Sequence, residues 1–303
     1  DDIDVIDIAL PTHLHHETAV AAARAGKHVF CEKPFANTSE QAREMLAAAE
    51  ESGVVHYLNH NYRRCPAVVL ARQLIDEGRL GEIFHYRGAY QQSWLINPEH
   101  PLDWKLKESM AAGGPLWDLG SHSVDLAQFL TGNIKTVSAR LKTFIAERPL
   151  AEDPEQRGEV EVDDAALLTV EFENGALDTL ENTRFATGCR NKHTFEIFGS
   201  KGALAWDMED MNRLKFYDNS QDSIAGWTNI LATEPNNPYM KWWPPGHIIG
   251  YEHPFVHAVV DFMHAIDESK PIDPNFADGV SIIEVLEAAK RSDAESGARV
   301  RVR

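Results

Sequence analysis

The chain has 303 residues, 43% of them hydrophobic and 25% charged, with a formal net charge of −18. That length accommodates one large domain or two ordinary ones, and the acid excess disfavours nucleic acid and anionic membranes as partners while leaving room for a local basic pocket. No apolar run approaches a membrane span, the opening residues do not read as a secretory signal, and three scattered cysteines (Cys31, Cys65, Cys189) without a CxxC pair argue for free thiols in a reducing, cytoplasmic setting.

Asp4–Leu10 (DVIDIAL) is β-branched and apolar, as in a strand buried on both faces. Pro11-Thr12-His13 breaks it, and the Ala-rich run from His13 reads as a helix stopped by Gly26. His28–Glu32 is a second short strand. Asn37–Gly53 is a second helix, capped by Thr38 or Ser39, and Val54–His60 is a third strand. This β-α-β-α-β order with short connections predicts a doubly wound parallel sheet of the Rossmann kind over residues 1–63. Three strands are few for such a sheet, so further residues are expected upstream of Asp1.

Beyond Cys65 the pattern changes. Ala67–Gly81 reads as a helix, Glu82–Trp94 alternates like an antiparallel strand, and Pro115–Gly132 reads as one helix. Strand candidates follow at Thr136–Ile145, Asp164–Phe172, Ala176–Phe185, Lys192–Phe198, Ala203–Asp207 and Arg213–Tyr217, with the polar stretch Glu147–Val162 as an exposed loop. Strands without intervening helices predict a large, mostly antiparallel open sheet in an α+β substrate domain, residues 64–275. Late helices fall at Glu252–Asp267 and Asn275–Gly297. The fold class is therefore α/β plus α+β.

Several residues can carry chemistry. Lys33 stands where a strand ends, and ligands of open α/β sheets bind at the carboxyl ends of strands. Pro34 restricts Lys33 to extended conformations and so aims it; their peptide bond can be cis, as about 5–6% of X–Pro bonds are. A surface lysine paired with Glu32 is the plainer alternative. In GGPLWDLGSHSVDL (Gly113–Leu126), Asp118 and His122 are i and i+4 and share a helix face. Histidine beside a carboxylate suits general base catalysis, although an ordinary Asp–His pair has the same spacing. A metal site is not expected: no second such pair is evident, and His13-x-His15 does not face one way on a helix. Asn59–Pro66 (NHNYRRCP) ends the third strand at the same lip, as ligand contact, interdomain hinge or both. Tyr239–His253 packs aromatics with Pro and Gly, suiting a sugar site or a subunit interface equally. GxSxG, HExxH, P-loop and CxxC motifs are absent.

The run from Leu10 to Ala36, with its EKP (Glu32–Pro34), resembles the middle of the cofactor domain of the Gfo/Idh/MocA family. NYRRCP is similar to that family's crossover segment, and Gly113–Leu126 to its GG-x-L-x-D-x-G-x-H-x-x-D motif. Phe276–Arg303 resembles its closing helix and strand, so the resemblance spans the chain. Tyr90–Leu106, Gly199–Trp206 and Trp242–His253 are most similar to its branch of levoglucosan dehydrogenase and related pyranoside dehydrogenases. The resemblance implies an NAD- or NADP-dependent oxidoreductase acting on a secondary hydroxyl of a sugar, anhydrosugar or inositol. It implies Lys33, Asp118 and His122 as catalytic residues. Pro11, Thr12, His15, Glu32, Lys33, Asn61 and Arg63 would line the cofactor. Gln91, Gln92, Trp94, Arg184, His247 and Tyr251, polar or aromatic near strand ends or in the aromatic loop, are candidate sugar contacts. In the implied reaction His122 takes the hydroxyl proton, Lys33 stabilises the alkoxide, and Asp118 orients His122 and favours its protonated form. The family's GxGxxG turn and ribose-reading residue do not occur in these 303 residues; they are expected upstream of Asp1, which leaves NAD and NADP both open. A non-catalytic sugar-sensing regulator and an NAD-assisted glycosidase are the alternatives. An open sheet face must be covered, which predicts a homodimer or homotetramer.

Overall fold

A computed structural model describes residues 2–220 and 225–303. In chain order it contains β1 (Val5–Ile8), α1 (His15–Arg24), β2 (His28–Cys31), α2 (Ser39–Ser52), β3 (His56–Leu58), α3 (Pro66–Asp76) and β4 (Ile83–Gln91). Three short or medium helices follow, α4 (Glu108–Ala111), α5 (Pro115–Asp118) and α6 (Gly120–Thr131). Then come β5 (Ile134–Lys142), β6 (Glu147–Pro149), β7 (Arg157–Glu159), β8 (Ala165–Phe172), β9 (Leu177–Thr183), β10 (Lys192–Gly199), β11 (Gly202–Asp207), β12 (Arg213–Asp218) and β13 (Trp227–Leu231). α7 (His253–Glu268), α8 (Phe276–Ala294) and β14 (Val300–Arg301) close the chain.

β1, β2 and β3 form a parallel sheet in that order, with Ile8 opposite Cys31 and Cys31 opposite Leu58. Both faces are covered: Phe30 and Tyr57 pack on Ala258 and Phe262 of α7, while Val29, Cys31 and Leu58 join the main core. That is why these strands lack polar alternation. Nine strands make the second sheet, in the order β13-β12-β11-β10-β4-β9-β8-β5-β14. Along β8, Ala166, Leu168, Val170 and Phe172 are buried and Leu167 is exposed, so one face meets helices and the other is bare.

α8 ties the two sheets together, packing on α2 and β3 on one side and on β5 and α6 on the other. An Asn275–Asp278 capping box starts it. Gly279 allows the close approach: a Cβ there would lie 2.4 Å from the Phe35 ring. Phe35 and Phe276 rings pack 4.7 Å apart, and Glu287 accepts from the Ser39 amide and hydroxyl at 2.8 and 2.7 Å.

Three local expectations are corrected. Glu82–Trp94 supplies a central strand, antiparallel to β10 but parallel to β9. Glu147–Val162 contains the β6–β7 hairpin, anchored by fully buried Arg148, which donates to the Leu95 and Asn97 carbonyls at 2.7 and 2.8 Å. Pro115–Gly132 is two helices broken at Leu119. The Asp118 carbonyl accepts from the Lys33 ammonium at 3.1 Å, and the His122 amide donates instead to Leu119 at 3.1 Å. A tertiary contact has taken the acceptor that a continuous helix would use.

Several histidines are buried without charge. His193 is stacked 4.5 Å from the Tyr90 ring, and burial lowers its pKa to about 3. His56 Nδ1 accepts from the Phe276 amide at 3.2 Å, and burial lowers its pKa to about 4. Unfolding lets both protonate from about pH 6.5. Their contribution is therefore intact above that value and lost as pH falls towards the folded values. His193 alone should cost about 1.4 kcal/mol per pH unit over that window. Urea denaturation at pH 7.5 and pH 5 should give a clearly lower midpoint at pH 5; equal midpoints would show that these rings are not held neutral.

Candidate active site

The carboxyl ends of β2 and β3 face the broken helix across a cleft. After β2 comes Glu32, then a cis Lys33–Pro34 bond. The turn is fixed from behind: His15 Nε2 donates to the Leu10 carbonyl at 2.8 Å, its Nδ1 lies 3.3 Å from the Phe35 carbonyl, and Trp117 Nε1 donates to the Ala36 carbonyl at 3.2 Å. At the other rim, buried Asp163 accepts from the Gly114 and Leu116 amides at 2.8 and 2.9 Å and pins the start of α5. Gly114 is required there, since a Cβ would meet the Asp163 carbonyl at 1.8 Å.

Lys33 and Asp118 meet across the cleft. Lys33 Nζ donates to Asp118 Oδ1 at 2.7 Å, and Arg184 donates to Oδ2 at 2.8 Å. Arg184 is only 1% exposed, and its Nε and other terminal nitrogen have no partner among the described residues. Burial opposes the charge on Asp118, but the two cations outweigh it and hold its carboxyl well below the usual carboxylate range. Two cations share the Asp118 carboxylate, which leaves that cluster net positive and Lys33 able to stabilise a developing oxyanion. His122 lines the same cavity. Burial first, then Lys33, keeps its pKa well below the ordinary value, so the ring is a neutral base.

The cavity has a volume of about 200 Å³. It is lined by Glu32, Lys33, Asn59, Asn61, Asp118, Leu119 and His122 and by Tyr62, Tyr90, Gln92, Asn191, Tyr251 and Phe255. Hydrogen bonds among Tyr251, Tyr62, Tyr90 and Asn191 have one direction. Tyr90 donates to Asn191 Oδ1 at 2.8 Å, so the Tyr62 hydroxyl, 2.8 Å from Tyr90, donates to it, and the Tyr251 hydroxyl, 3.2 Å from Tyr62, donates in turn. Gln92 Nε2 donates to the same Asn191 oxygen at 3.0 Å. Each hydroxyl of this hydrogen-bonded chain spends its proton within it.

A family model described as the oxidoreductase family, NAD-binding Rossmann fold, matches residues 1–60, and one for the GFO/IDH/MocA C-terminal domain matches residues 68–205. Levoglucosan dehydrogenase of Pseudarthrobacter phenanthrenivorans is 39% identical over 97% of this chain and 79% of its own. An oxidoreductase domain protein from Kribbella flavida superposes with a TM-score of 0.97 at 47% identity, covering all of this chain and 82% of its own. A levoglucosan dehydrogenase in complex with NADH and levoglucosan superposes with a TM-score of 0.95 at 40% identity, covering 99% of this chain and 81% of its own. The chain belongs to the Gfo/Idh/MocA oxidoreductase family.

An NAD-binding Rossmann fold of this family requires a seat for the nicotinamide end. Asn59 Nδ2 donates to Glu32 at 2.6 Å, leaving Asn59 Oδ1 buried without a partner among the described residues; Asn61 Nδ2 is likewise buried and unpaired. One free acceptor and one free donor at the strand ends match a carboxamide, so the residues present fit the group.

Of the other expected site residues, Arg63, Gln91, His247, His15, Trp94, Thr12 and Pro11 are not among those lining the cavity. The Arg63 guanidinium points into the protein, donating to Asp125 at 2.6–3.1 Å and to Asp278 at 3.0 Å, and is 7% exposed. Burial would discharge it, but those two carboxylates outweigh burial and raise its pKa. Gln91 alternates to the bare face of the large sheet and donates to Glu181 at 2.8 Å, because its neighbour Tyr90 takes the inward position. His247 is exposed in the aromatic loop, with Nδ1 2.9 Å from the Pro244 carbonyl. The His15 ring is consumed by backbone carbonyls. Asp118 is turned to Lys33 and Arg184 rather than to His122, because the helix breaks between them. Trp94 lies one layer out, donating to Gln92 at 2.8 Å with its ring 5.2 Å from the Arg184 guanidinium. Thr12 is buried and Pro11 half-buried at the start of α1. Tyr90, Leu119, Asn191 and Phe255 line the cavity unanticipated, while Asn59 and Tyr62 belong to the segment expected at the lip. Alternation along β4 was the signal for Tyr90; Asn191, in a turn before β10, carried none. Among the described residues no cluster of three or more His, Cys, Asp or Glu side chains is arranged to hold a metal ion.

Arg63 and its carboxylates lock the turn that carries Asn61 and Tyr62. Asp125→Ala leaves a buried guanidinium short of a partner and should destabilise the protein by about 3–5 kcal/mol. A loss below 1 kcal/mol in chemical denaturation would show that Asp278 alone holds the clamp.

Proposed function

We propose that this protein is an NAD- or NADP-dependent dehydrogenase of a sugar, anhydrosugar or inositol, oxidising a secondary hydroxyl to a ketone. The convergence of Lys33, after β2, with Asp118 and His122, on α5 and α6, on one polar cavity is the observation that carries this reading. The name of the 39% identical relative supports an anhydrosugar within the class. Residues 1–63 serve as the dinucleotide-binding part, 64–275 as the substrate domain and 276–303 as the closing helix and strand. Asn59 and Asn61 hold the carboxamide, with Glu32, Pro11 and Thr12 beside the cofactor. When bound, the nicotinamide supplies the hydride acceptor.

The substrate hydroxyl lies between Lys33 and His122. His122 Nε2 takes the hydroxyl proton. Lys33 donates a hydrogen bond to the oxygen as charge builds on it, an electrostatic effect that is strong where water is excluded. Asp118 anchors the lysine, and Arg184 restores the positive balance. Gln92, Tyr251 and, through Gln92, Trp94 read the other hydroxyls. Three free cysteines suit a reducing cytoplasm, and no helix among the described residues is long and apolar enough to cross a membrane.

His122→Ala should lower turnover of the cofactor-loaded enzyme by about 10²–10⁴-fold with little change in cofactor affinity. Net reduction of NAD or NADP by a free sugar, followed at 340 nm, separates this reading from a sensor and from a transiently oxidising glycosidase. Normal turnover in the variant would remove His122 from its role.

A second copy of the chain covers the bare sheet face. Leu167 is 55% exposed there and Leu177 51%. Sedimentation at micromolar concentration should give a dimer or tetramer, weakened by Leu167→Glu; a monomeric parent protein would refute this.

A further inference from the structure

The buried edge of the base is also partnered. His60, at the end of β3, is fully buried, and its Nδ1 lies 3.5 Å from His122 Nδ1, with the rings near perpendicular at 85°. Tyr62 stacks on the face of His122 at 4.3 Å and 25°. The ring plane is therefore fixed by Tyr62 and its inner edge by His60, which turns Nε2 towards the cavity. Neutral imidazole carries one N–H, and two facing Nδ1 atoms share one proton between them. A base acting through Nε2 must carry its own proton on Nδ1. The same Nδ1–H persists when Nε2 is protonated in the reverse reaction. Both states need an acceptor at the inner edge, and His60 Nδ1 is placed to be that acceptor.

We propose that His60 is a positioning residue that holds His122 in its Nδ1–H tautomer, an assignment that rests on His122 being the base. His60 then carries its proton on Nε2, a buried atom without a partner among the described residues. Burial above all, and then its charged surroundings, favour that neutral state. Arg63 and Lys33 both disfavour a second proton, and Asp278 opposes them more weakly. The arrangement performs with a neutral ring what a carboxylate does in hydrolytic triads: it sets the tautomer. A neutral partner adds no negative charge beside the Lys33–Asp118–Arg184 cluster.

The test combines nitrogen NMR of the protein with turnover of the cofactor-loaded enzyme. Wild-type His122 should appear as the Nδ1–H tautomer. His60→Leu should release it towards Nε2–H and lower kcat by about 10- to 100-fold, part of what a general base supplies, with KM for the sugar unchanged. His60→Asn places an amide oxygen near the lost Nδ1 and should restore both the tautomer and most of the turnover. An Nε2–H tautomer in the wild type overturns the proposal without any variant. So does wild-type turnover in His60→Leu when His122→Ala is inactive. If His122→Ala itself remains active, the base assignment fails, while the tautomer spectrum still reports on the His60 contact.

Discussion

One ion pair organises this molecule: Lys33 on the small parallel sheet against Asp118 on the broken helix of the large domain, 2.7 Å apart. Each side is 20–30% exposed, at 21% for Lys33 and 28% for Asp118, so the pair is neither a surface contact nor sealed. Its effect on structure is as marked as its charge. Lys33 takes the Asp118 carbonyl as well as the carboxylate where α5 ends, and the chain restarts one residue later as α6. His122 therefore sits in the first turn of a new helix, with its ring free of Asp118 and turned to Tyr62 and His60. A continuous helix would have presented the two side chains side by side, which is the arrangement that spacing alone implies.

The rest of the scaffold serves to bring those two elements together. α8 fastens α2 to β5, with Gly279 allowing Phe35 to enter and Phe35 lying two residues from Lys33. The Asn61–Arg64 turn is clamped in two directions, Arg63 to Asp125 and Asp278, Arg64 to Asp261 at 3.1 Å. Buried ion pairs are a weak source of stability because desolvation offsets attraction. Their geometry is specific, however, and here each one runs from the crossover turn to a helix, to Asp125 on α6, Asp278 on α8 and Asp261 on α7. That fixes Asn61 and Tyr62 relative to α6, which the cavity requires.

What was legible in the residues follows from how local the cause is. Strands β1 to β3 and the alternation of β8 follow from burial on two faces or one, and these patterns survive folding unchanged. Lys33 was legible because Pro34 restricts it and a strand end aims it. Arg63 was misjudged because an arginine at a strand lip looks the same whether it faces a ligand or a buried carboxylate 62 residues away. Gln91 and Gln92 are adjacent and chemically identical; only the register of β4 against β9 decides which one enters the cavity. The β6–β7 hairpin was hidden in a polar run because its anchor is the buried Arg148, a residue whose type normally signals solvent.

The buried histidines show why such a site must conflict with simple rules of composition. A neutral base beside two cations is kept neutral by removing water and adding positive charge, and both measures make protonation of that region costly. His60, His122 and His193 lie together, all nearly inaccessible, with pKa values pushed down chiefly by burial. Apolar residues of similar size would pack there without acid sensitivity. On the proposed mechanism the polar rings follow instead from the proton that has to be moved: a base needs a lone pair, the lone pair needs a defined tautomer, and the tautomer needs an acceptor at the inner edge of the ring. Tolerance of low pH is given up in the same place where the chemistry is gained, as expected when a local departure from good packing marks a functional site.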